Sequence, residues 1–510
     1  MNSILIAIPL LPLLGALIVL FVPREAKSQI KAVALLATLL PLVGAVIMYA
    51  GFDTTSGMQY QVKHDWIEVP FAFEQGPLRI GFDLGVDGLS LPFVLLTAIV
   101  SVLSVLASWR VAYRTKEYFI WFLLLITGLF GVFTALDLFL FFLFLELTLI
   151  PMYFLIGIWG GEKKKEIATK FLLYRGLASV GILVSFIALA YFAGYASLQP
   201  GNIGGHLSFD MIQIADVFKK AGDIIPIDYR QWIFIVLFLA ILIEEAFFPF
   251  HTWMPDTHEQ ATPAVSMIVG GVLMKVGAYV LFRIGVGALP DMISYFGTAI
   301  AVIGVINIVY GALVAMVQKD WRRLLAFSTI SHMGIVLLGV ASGTNEGLQG
   351  AVFMTISSGL LSALLFFLVG AIQERTRTTY IDAMGGISKQ MPILSGFLLI
   401  GALGSLGLPG MSGFVSEIVS FMGAFQKFPI LSALGTSGII LAAVYLLWAI
   451  QRTTFGPQGV ALEGSHDARP AEYVPMVVLL AFVILIGVYP AVLGDLINPT
   501  LTQLVGKIGG

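Results

Sequence analysis

Long apolar stretches separated by short polar segments run along almost the whole chain. A helix needs about 20 residues to cross the apolar core of a bilayer, and a window of that length predicts fourteen membrane spans. Their expected bounds are about 3–22, 31–51, 88–109, 117–136, 137–160, 168–195, 231–250, 262–286, 295–318, 322–342, 347–372, 391–425, 430–451 and 473–495. The pattern therefore predicts an all-α polytopic membrane protein.

Proline and glycine interrupt two of these spans, the seventh and the twelfth. The seventh ends in FFPFHTWMPDTHEQATP, and the twelfth reads IGALGSLGLPGMSGFVSEIVSFMGAF. Broken helices at corresponding places are typical of internal repeats in transporters. Because the breaks are five spans apart, spans four to eight and nine to thirteen would form two repeats of inverted orientation. Simple kinks are the alternative, since membrane helices tolerate both residues.

The composition supports a membrane protein and excludes several other classes. Hydrophobic residues make up 58% of the chain and charged residues 11%, against about 25% charged in an ordinary soluble domain, and the mean hydropathy is +0.95. No cysteine is present, so no thiolate can hold zinc or an iron–sulfur cluster. The net charge of −2 and the scattered basic residues argue against nucleic acid binding. The first apolar run has no basic segment before it and exceeds a signal-peptide core, so we expect it to remain as the first span.

The basic residues concentrate on one side of the predicted bundle. That side carries Arg24, Lys27, Lys31, Arg110, Arg114, Lys116, Lys163 to Lys165, Lys319, Arg322, Arg323, Arg375, Arg377, Lys389 and Arg452. The positive-inside rule makes it the cytoplasmic side. The two longest connections, about 52–87 and 196–230, lie on the opposite side. An even number of spans then places both termini there, in the periplasm or its equivalent.

Among the ionisable side chains inside predicted spans, where a charge costs several kcal/mol to insert, five stand out. They are Glu146 in the fifth span, Glu244 and Glu245 in the seventh, Lys275 in the eighth and Glu417 in the twelfth. Such residues usually face the bundle interior and mark an ion path. A structural ion pair is the alternative for Glu146 and Lys275, and helix capping is the alternative for Glu417.

Histidines add a second class of candidates. His332, in LLAFSTISHMGIV, can take and release protons near neutral pH, although a lone helical histidine is often a satisfied interior residue. His251 and His258 lie seven residues apart in HTWMPDTHEQ, with Asp256 and Glu259 nearby, which could form a metal site. Neither an HExxH motif nor a spaced Cys/His set is present, so we expect no metal but a polar loop that re-enters beside the seventh span.

Six segments together resemble one known family. They are GVDGLSLPF at 85–93, LELTLIPMYFLIGIWG at 145–160, FPFHTWMPDTHEQATPAVS at 248–266, GGVLMKVGAYVLFR at 270–283, WRRLLAFSTISHMG at 321–334 and LGLPGMSGFVSE at 406–417. They resemble the antiporter-like membrane subunit M, or chain 4, of proton-translocating NADH:quinone oxidoreductase, which is respiratory complex I. The resemblance covers almost the whole chain.

The resemblance implies an organisation and a set of partners. It implies fourteen helices: three N-terminal helices in 1–116, a first five-helix repeat in 117–286, an inverted second repeat in 295–451 and a C-terminal helix in 452–510. The other membrane-arm subunits, including the antiporter-like L and N subunits, would be its partners within the bilayer. NADH, FMN, iron–sulfur clusters and quinone would bind to partner subunits, and no cofactor would bind to this chain.

The resemblance also implies roles in a proton path. Glu146 matches the acidic residue of span five, and Lys275 matches the lysine of span eight that connects two half-channels. His332 matches a histidine on the bridge from the centre to the exit, and Glu417 matches the acidic residue of broken span twelve. Quinone reduction elsewhere in the complex would drive protons along this row, so the chain would be a non-redox subunit of an enzyme.

Two positions depart from the pattern of this family. Glu244, with Glu245 beside it, stands where the family ordinarily has a lysine, and Ser358 stands where it usually has a histidine. Our hypothesis is that Arg175 partly replaces the missing cation. It lies about seven residues, or roughly 10 Å, into the sixth span, at a depth similar to that of the two glutamates. Snorkelling of Arg175 to the membrane surface is the alternative.

Other functions stay open on the sequence alone. An acid-rich centre would also suit a subunit of a multisubunit cation/proton antiporter, of an inorganic-carbon uptake complex or of a hydrogenase-type complex. A structural membrane-arm subunit without conduction is a further alternative. For a proton-translocating subunit of NADH:quinone oxidoreductase, the expected location is a prokaryotic inner membrane.

Overall fold

The computed structural model describes residues 2–55, 57–73, 76–197, 207–220, 224–457 and 466–508. The first half contains α1 (Asn2–Phe21), α2 (Lys27–Ala50), β1 (Gln59–Phe73), β2 (Gly76–Val86), α3 (Ser90–Ala107), α4 (Thr115–Thr134), α5 (Leu138–Trp159), α6 (Lys164–Ser197), β3 (Leu207–Ser208), α7 (Met211–Lys220), α8 (Ile227–Glu244) and α9 (Trp253–Gln260). The central part contains α10 (Pro263–Gly271), α11 (Val276–Val280), α12 (Pro290–Tyr295), α13 (Gly297–Met316), α14 (Trp321–Ser342) and α15 (Asn345–Thr376). The last part contains α16 (Ile387–Gln390), α17 (Pro392–Ser405), α18 (Ser412–Lys427), α19 (Pro429–Thr454), α20 (Pro470–Val488) and α21 (Ala491–Ile508).

The fold class expected from the sequence is confirmed. Within the described residues, twelve helical segments are long and apolar enough to cross a membrane. The twelfth predicted span is split into two shorter helices, α17 and α18. In the seventh, the helix α8 ends at Glu244, before the predicted end at 250, and the short helix α9 follows beyond it. The polar segment expected to re-enter as a loop is helical, since α9 occupies it. The repeat boundaries remain a prediction.

Two details of the segmentation differ from the expectation. The last predicted span, 473–495, joins two elements, because α20 ends at Val488 and α21 begins at Ala491. The eighth span is irregular, although no proline or glycine break was predicted there. A 3₁₀ turn at Leu273–Lys275 and a π-helical turn at Leu281–Val286 flank α11.

The core of the bundle consists of three spans, two of which carry Lys275 and His332. The most apolar windows of Pro263–Val286, of α14 and of α15 are completely buried, whereas only a third of those of α2, α19 and α20 is. The burial is possible because these three spans pack closely. Gly271, for example, has no room for a Cβ without close contacts to Val100, Ala363 and the carbonyl of Gly359. Polar side chains on these spans are therefore shielded from lipid.

A small sheet lies in the connections at one end of the bundle, where the sequence suggested only long loops. Strands β1 and β2 are antiparallel, and β3 pairs with β2 in parallel. Asp137 links this sheet to α5, since its carboxylate accepts hydrogen bonds from the N–H groups of Phe139, Leu140 and Gly81. Residues 198–206 and 221–223 of the predicted connection 196–230 lie outside the described residues.

Candidate functional site

The predicted site residues lie on six different spans, and most of them are buried. Arg175 is on α6, Glu244 ends α8, Glu245 follows it, Lys275 is in the 3₁₀ turn after α10, His332 is on α14 and Glu417 is on α18. All six are buried. Glu146 on α5 is half-buried. The burial of so many ionisable groups is expensive, and such groups in a membrane protein usually serve transport.

Arg175 and Glu244 form a buried ion pair between α6 and the end of α8. Arg175 Nη1 lies 2.6 Å from Glu244 Oε1, and only 2% and 1% of the two side chains are exposed. The same nitrogen donates to the main-chain oxygen of Glu244 at 3.3 Å. The guanidinium also stacks near the rings of Phe171 and Trp253, at 5.9 and 6.0 Å from their centroids. Arg175 therefore points into the bundle and does not snorkel to the surface.

Glu146 approaches this pair without joining it. Its carboxylate interacts electrostatically with that of Glu244. One of its oxygens, Oε1, is buried and has no hydrogen-bond partner among the described residues. Arg175 on the sixth span is thus paired with Glu244 and not with Glu146. Glu146 is left as a carboxylate at the edge of the buried row.

Glu245 faces the eighth span rather than Arg175. Its Oε1 accepts a hydrogen bond of 3.0 Å from the N–H of Ala278, and its other oxygen is unpartnered. Gly277 makes this approach possible, because a Cβ there would lie 2.6 Å from Glu245 Cγ. Glu245 and Lys275 interact electrostatically, although they form no ion pair. The carboxylate is therefore near enough to sense the charge of Lys275.

Lys275 lies where the eighth span loses its regular helical geometry. After α10 the chain makes a 3₁₀ turn that contains Lys275, and only then resumes an α-helix. Short departures of this kind in a long helix often occur at functional positions. Within the described chain, the completely buried ammonium forms no ion pair, and Nζ donates to Met333 Sδ at 3.4 Å.

Met333 separates Lys275 from a group of hydroxyls. Ser358 Oγ lies 4.0 Å from Met333 Sδ and donates to the carbonyl of Thr355. The neighbouring Ser357 shares a hydrogen bond of 2.6 Å with Ser412 at the start of α18. A thioether is a weak hydrogen-bond acceptor and does not carry a proton. The side chain thus lies between a titratable group and hydroxyls without being able to relay protons itself.

His332 and Glu417 lie on the side of the broken twelfth span. The ring of His332 approaches the carbonyl of Ser405, the last residue of α17, and its Nε2 has no described partner. Glu417 packs against Gly407, whose φ of +80° would be strained for other residues and whose Cβ would meet Glu417 Oε2 at 2.3 Å. In the described residues Glu417 has no cation beside it. Tyr445, which donates to Ser328 at 2.7 Å, interacts with it electrostatically.

His258 is a buried polar residue that the sequence suggested only as a metal ligand. Neither of its ring nitrogens has a partner among the described residues, and the ring stacks on Phe366 with 4.1 Å between centroids. It interacts electrostatically with Lys275 and with Arg322. The sequence drew attention to this residue because it is the second histidine of the HTWMPDTHEQ motif. The role of Met333 had no such signal, because its contact with Lys275 joins distant parts of the chain.

The described residues contain no arrangement that supports a metal site at the HTWMPDTHEQ motif. No group of three or more His, Cys, Asp or Glu side chains there could hold a metal ion. Asp256 pairs with Lys170 at 2.7 Å and with Arg323 at 2.8 Å, while Glu259 pairs with Arg323 at 2.7 Å. His251 shares a hydrogen bond with the hydroxyl of Tyr310. The carboxylates of this motif are thus bound to cationic side chains.

A family model described as the transmembrane region of NADH:quinone oxidoreductases and Mrp antiporters matches residues 135–442. That range contains every candidate site residue named above. The chain belongs to this family. The resemblance found in the sequence motifs is thereby confirmed, and the buried row lies within the shared family region.

Curated members of the family match over nearly the full length. "NAD(P)H-quinone oxidoreductase chain 4" of Acaryochloris marina is 36% identical, over 98% of this chain and 91% of its own length. "NADH-quinone oxidoreductase subunit M" of Rhodobacter capsulatus is 36% identical, over 99% of this chain and 97% of its own. The chain is thus similar along its whole length to the chain 4 and subunit M proteins.

Solved structures of the family share the architecture. A chain of the respiratory complex I from Thermus thermophilus superposes with a TM-score of 0.85 and 28% identity, over 99% of this chain and 100% of that chain. A chain of the Mrp complex from Dietzia sp. superposes with a TM-score of 0.82 at 20% identity, over 100% and 99% of the two chains. The second likeness shows the common fold alone.

Proposed function

We propose that this chain is a proton-translocating membrane-arm subunit of an NADH:quinone oxidoreductase, a non-redox part of that enzyme complex. One observation carries the proposal: a row of buried titratable groups lies in a chain that is similar throughout to subunit M. Quinone reduction elsewhere in the complex supplies the energy. The chain moves protons and carries out no electron transfer.

The assignment brings further proposals about surroundings. NADH, FMN, iron–sulfur clusters and quinone bind to partner subunits, and none binds to this chain. Antiporter-like L and N subunits adjoin it in the bilayer of a prokaryotic inner membrane, with both termini in the periplasm. Residues 117–286 and 295–451 form the inverted repeats, between an N-terminal part, 1–116, and a C-terminal part, 452–510.

The input half of the path is built around carboxylates. Glu146 lies at the edge of the row, followed by Glu244 with its partner Arg175 and by Glu245. The ion pair supports this arrangement, because Arg175 compensates one of the buried carboxylates. A proton that reaches Glu245 is close enough to influence Lys275 through its charge. Each step of this path is a proton transfer between side chains or through water.

The transfer from Lys275 to the output half requires a rearrangement. Its ammonium donates to Met333 Sδ, and the hydroxyl of Ser358 lies on the sulfur as well. Because sulfur accepts a hydrogen bond but holds no proton, the path is interrupted in this state. Movement of Lys275 or Met333 would connect the ammonium to His332 and the hydroxyls, and then to Glu417. Met333 thereby acts as a gate that separates the two half-paths.

Proton transport in membranes carrying Lys275→Ala tests the assignment. NADH-driven acidification of inverted vesicles should be lost, because the central titratable group is missing. The parent protein is the control that distinguishes an NADH-driven proton pump from an antiporter, since it should pump protons with NADH and need no sodium. Transport that proceeds without NADH oxidation and depends on Na⁺ would place the chain with the cation/proton antiporters instead.

A further inference from the structure

Four basic side chains surround a concavity at the end of the bundle where α1 ends and where α2 and α4 begin. Its volume is about 380 Å³, and its charged lining consists of Arg24, Lys27, Arg114, Lys116 and a single carboxylate, Glu117. The lining thus has a net charge of +3. We call this concavity the basic pocket. We propose that it binds the headgroup phosphates of an anionic phospholipid.

Two of the lysines are held in place by the main chain. Lys116 Nζ donates to the carbonyls of Leu20 and Val22 at 2.8 and 2.9 Å, and Lys27 Nζ donates to the carbonyl of Ala112 at 3.1 Å. Neutral carbonyls position an ammonium without cancelling its charge. A set of cations that is already in place loses little freedom when an anion binds, which favours binding.

Arg114 and Arg24 complete the lining. Arg114 adopts the left-handed backbone conformation, with φ of +47°, which is uncommon for a residue with a side chain and occurs preferentially at functional sites. Glu117 lies 3.3 Å from Arg24 and 3.7 Å from Arg114, and the two arginine side chains are 75% and 46% exposed. Exposed ion pairs of this kind are weak, so phosphate oxygens can compete for both guanidinium groups.

The surroundings of the basic pocket favour a lipid over a soluble phosphate. Leu17, Ile18 and Phe21 on the adjoining end of α1 are exposed, Phe21 to 87%. Tyr113 and Trp109, in the connection before α4, are also exposed, and aromatic residues typically mark the headgroup region. Basic pockets between membrane helices bind anionic headgroups. Phosphates in the pocket would leave the acyl chains along the apolar face of α1.

Binding can be measured by native mass spectrometry on the protein purified from its native membrane in mild detergent. Cardiolipin should bind, phosphatidylethanolamine should not compete for the site, and inorganic phosphate should bind far more weakly than cardiolipin. Arg24→Gln and Arg114→Gly should each weaken cardiolipin binding about fivefold. Lys165→Gln, which removes an exposed cation in the first turn of α6, should leave it unchanged.

Arg114→Gly separates binding from folding. Glycine adopts the left-handed conformation without strain, so the melting temperature of the variant should not fall while cardiolipin binding does. Unchanged cardiolipin binding in the Arg24→Gln/Arg114→Gly double variant would overturn the proposal, as would an equal loss in Lys165→Gln. Inorganic phosphate that binds as tightly as cardiolipin would overturn the assignment to a lipid.

Discussion

At the scale of single residues, the central feature is the ion pair of Arg175 and Glu244. The sequence resemblance implied a lysine on the seventh span as the partner of Glu146, whereas this chain carries Glu244 there. The cation comes from the sixth span instead, at 2.6 Å. The buried site thus still contains one paired cation and carboxylate, with the cation on the sixth span and the carboxylate on the seventh. Among the described residues Glu146 Oε1 is buried without a hydrogen-bond partner.

Removal of one partner of the pair should be costly. Arg175→Gln leaves Glu244 as an unpaired buried carboxylate, which typically costs about 3–5 kcal/mol, and we expect a clear loss of thermal stability in detergent. The double variant Arg175→Gln/Glu244→Gln should recover most of that stability, because no net charge is then buried, but should not recover pumping. Equal melting temperatures for Arg175→Gln and the parent would show that the pair contributes nothing.

Met333 offers a test of the separation between the half-paths. Met333→Gln introduces an amide that can hydrogen-bond to Lys275 and to water, so the passive proton permeability of proteoliposomes should rise. Met333→Leu keeps the apolar barrier and is the matched control, with permeability as low as in the parent. If the passive proton permeability of the Met333→Gln protein were as low as that of the Met333→Leu protein, the proposed role of Met333 as a gate would be contradicted.

At the scale of elements, the eighth span shows how a break positions a charge. The 3₁₀ turn that contains Lys275 and the close approach of Glu245 to Gly277 occur within three residues of each other. The close approach of Glu245 would not be possible with a larger side chain at position 277. The irregularity is therefore part of the site rather than a defect of packing.

Gly277→Ala should disturb this arrangement without adding a polar group. The new Cβ would lie 2.6 Å from Glu245 Cγ, so the carboxylate must move away from the N–H of Ala278. A displacement of about 1 Å can cost on the order of a hundredfold in rate, and we expect a large loss of NADH-driven pumping. Gly396→Ala on α17, where a Cβ meets nothing within 4 Å, is the control and should pump normally.

The start of α5 should respond to pH through Asp137, which lies between two spans. Burial raises the pKa of Asp137 to about 6, against the lowering effect of its main-chain hydrogen bonds. The folded protein then binds this proton more tightly than the unfolded chain, so stability from this group is lost as the pH rises from about 4 to 6. Asp137→Asn keeps a capping side chain and should gain stability relative to the parent over that range. A pH-independent difference between their melting temperatures would contradict this account.

At the scale of the whole molecule, the sequence predicts the membrane fold well because a bilayer dictates span length. The hydrophobic pattern located the spans, and proline and glycine located both broken helices. The cost of inserting charges singled out the buried glutamates and Lys275. The irregular eighth span was missed, since LMKVGAYVLF has no proline and its turns depend on tertiary contacts. The β1–β2 sheet was missed because it lies in a connection where the bilayer imposes no pattern.

Contacts between distant positions limited the prediction of the site. Arg175 and Glu244 could be compared in depth along their helices, but their facing sides could not be derived from span positions. The contact of Met333 with Lys275 joins residues 58 positions apart, and nothing in either segment signals it. The basic pocket likewise combines residues from three elements, so only the structure brings its cations together.

The most direct test of the whole account is the ratio of protons pumped to electrons transferred in inverted vesicles carrying Glu244→Gln. Glutamine keeps the size of the side chain but holds no exchangeable charge, so the path loses one of its carboxylates. We expect NADH:quinone turnover to continue with a lower proton-to-electron ratio than in the parent. A ratio equal to that of the parent would contradict the claim that protons pass through this rebuilt seventh-span site.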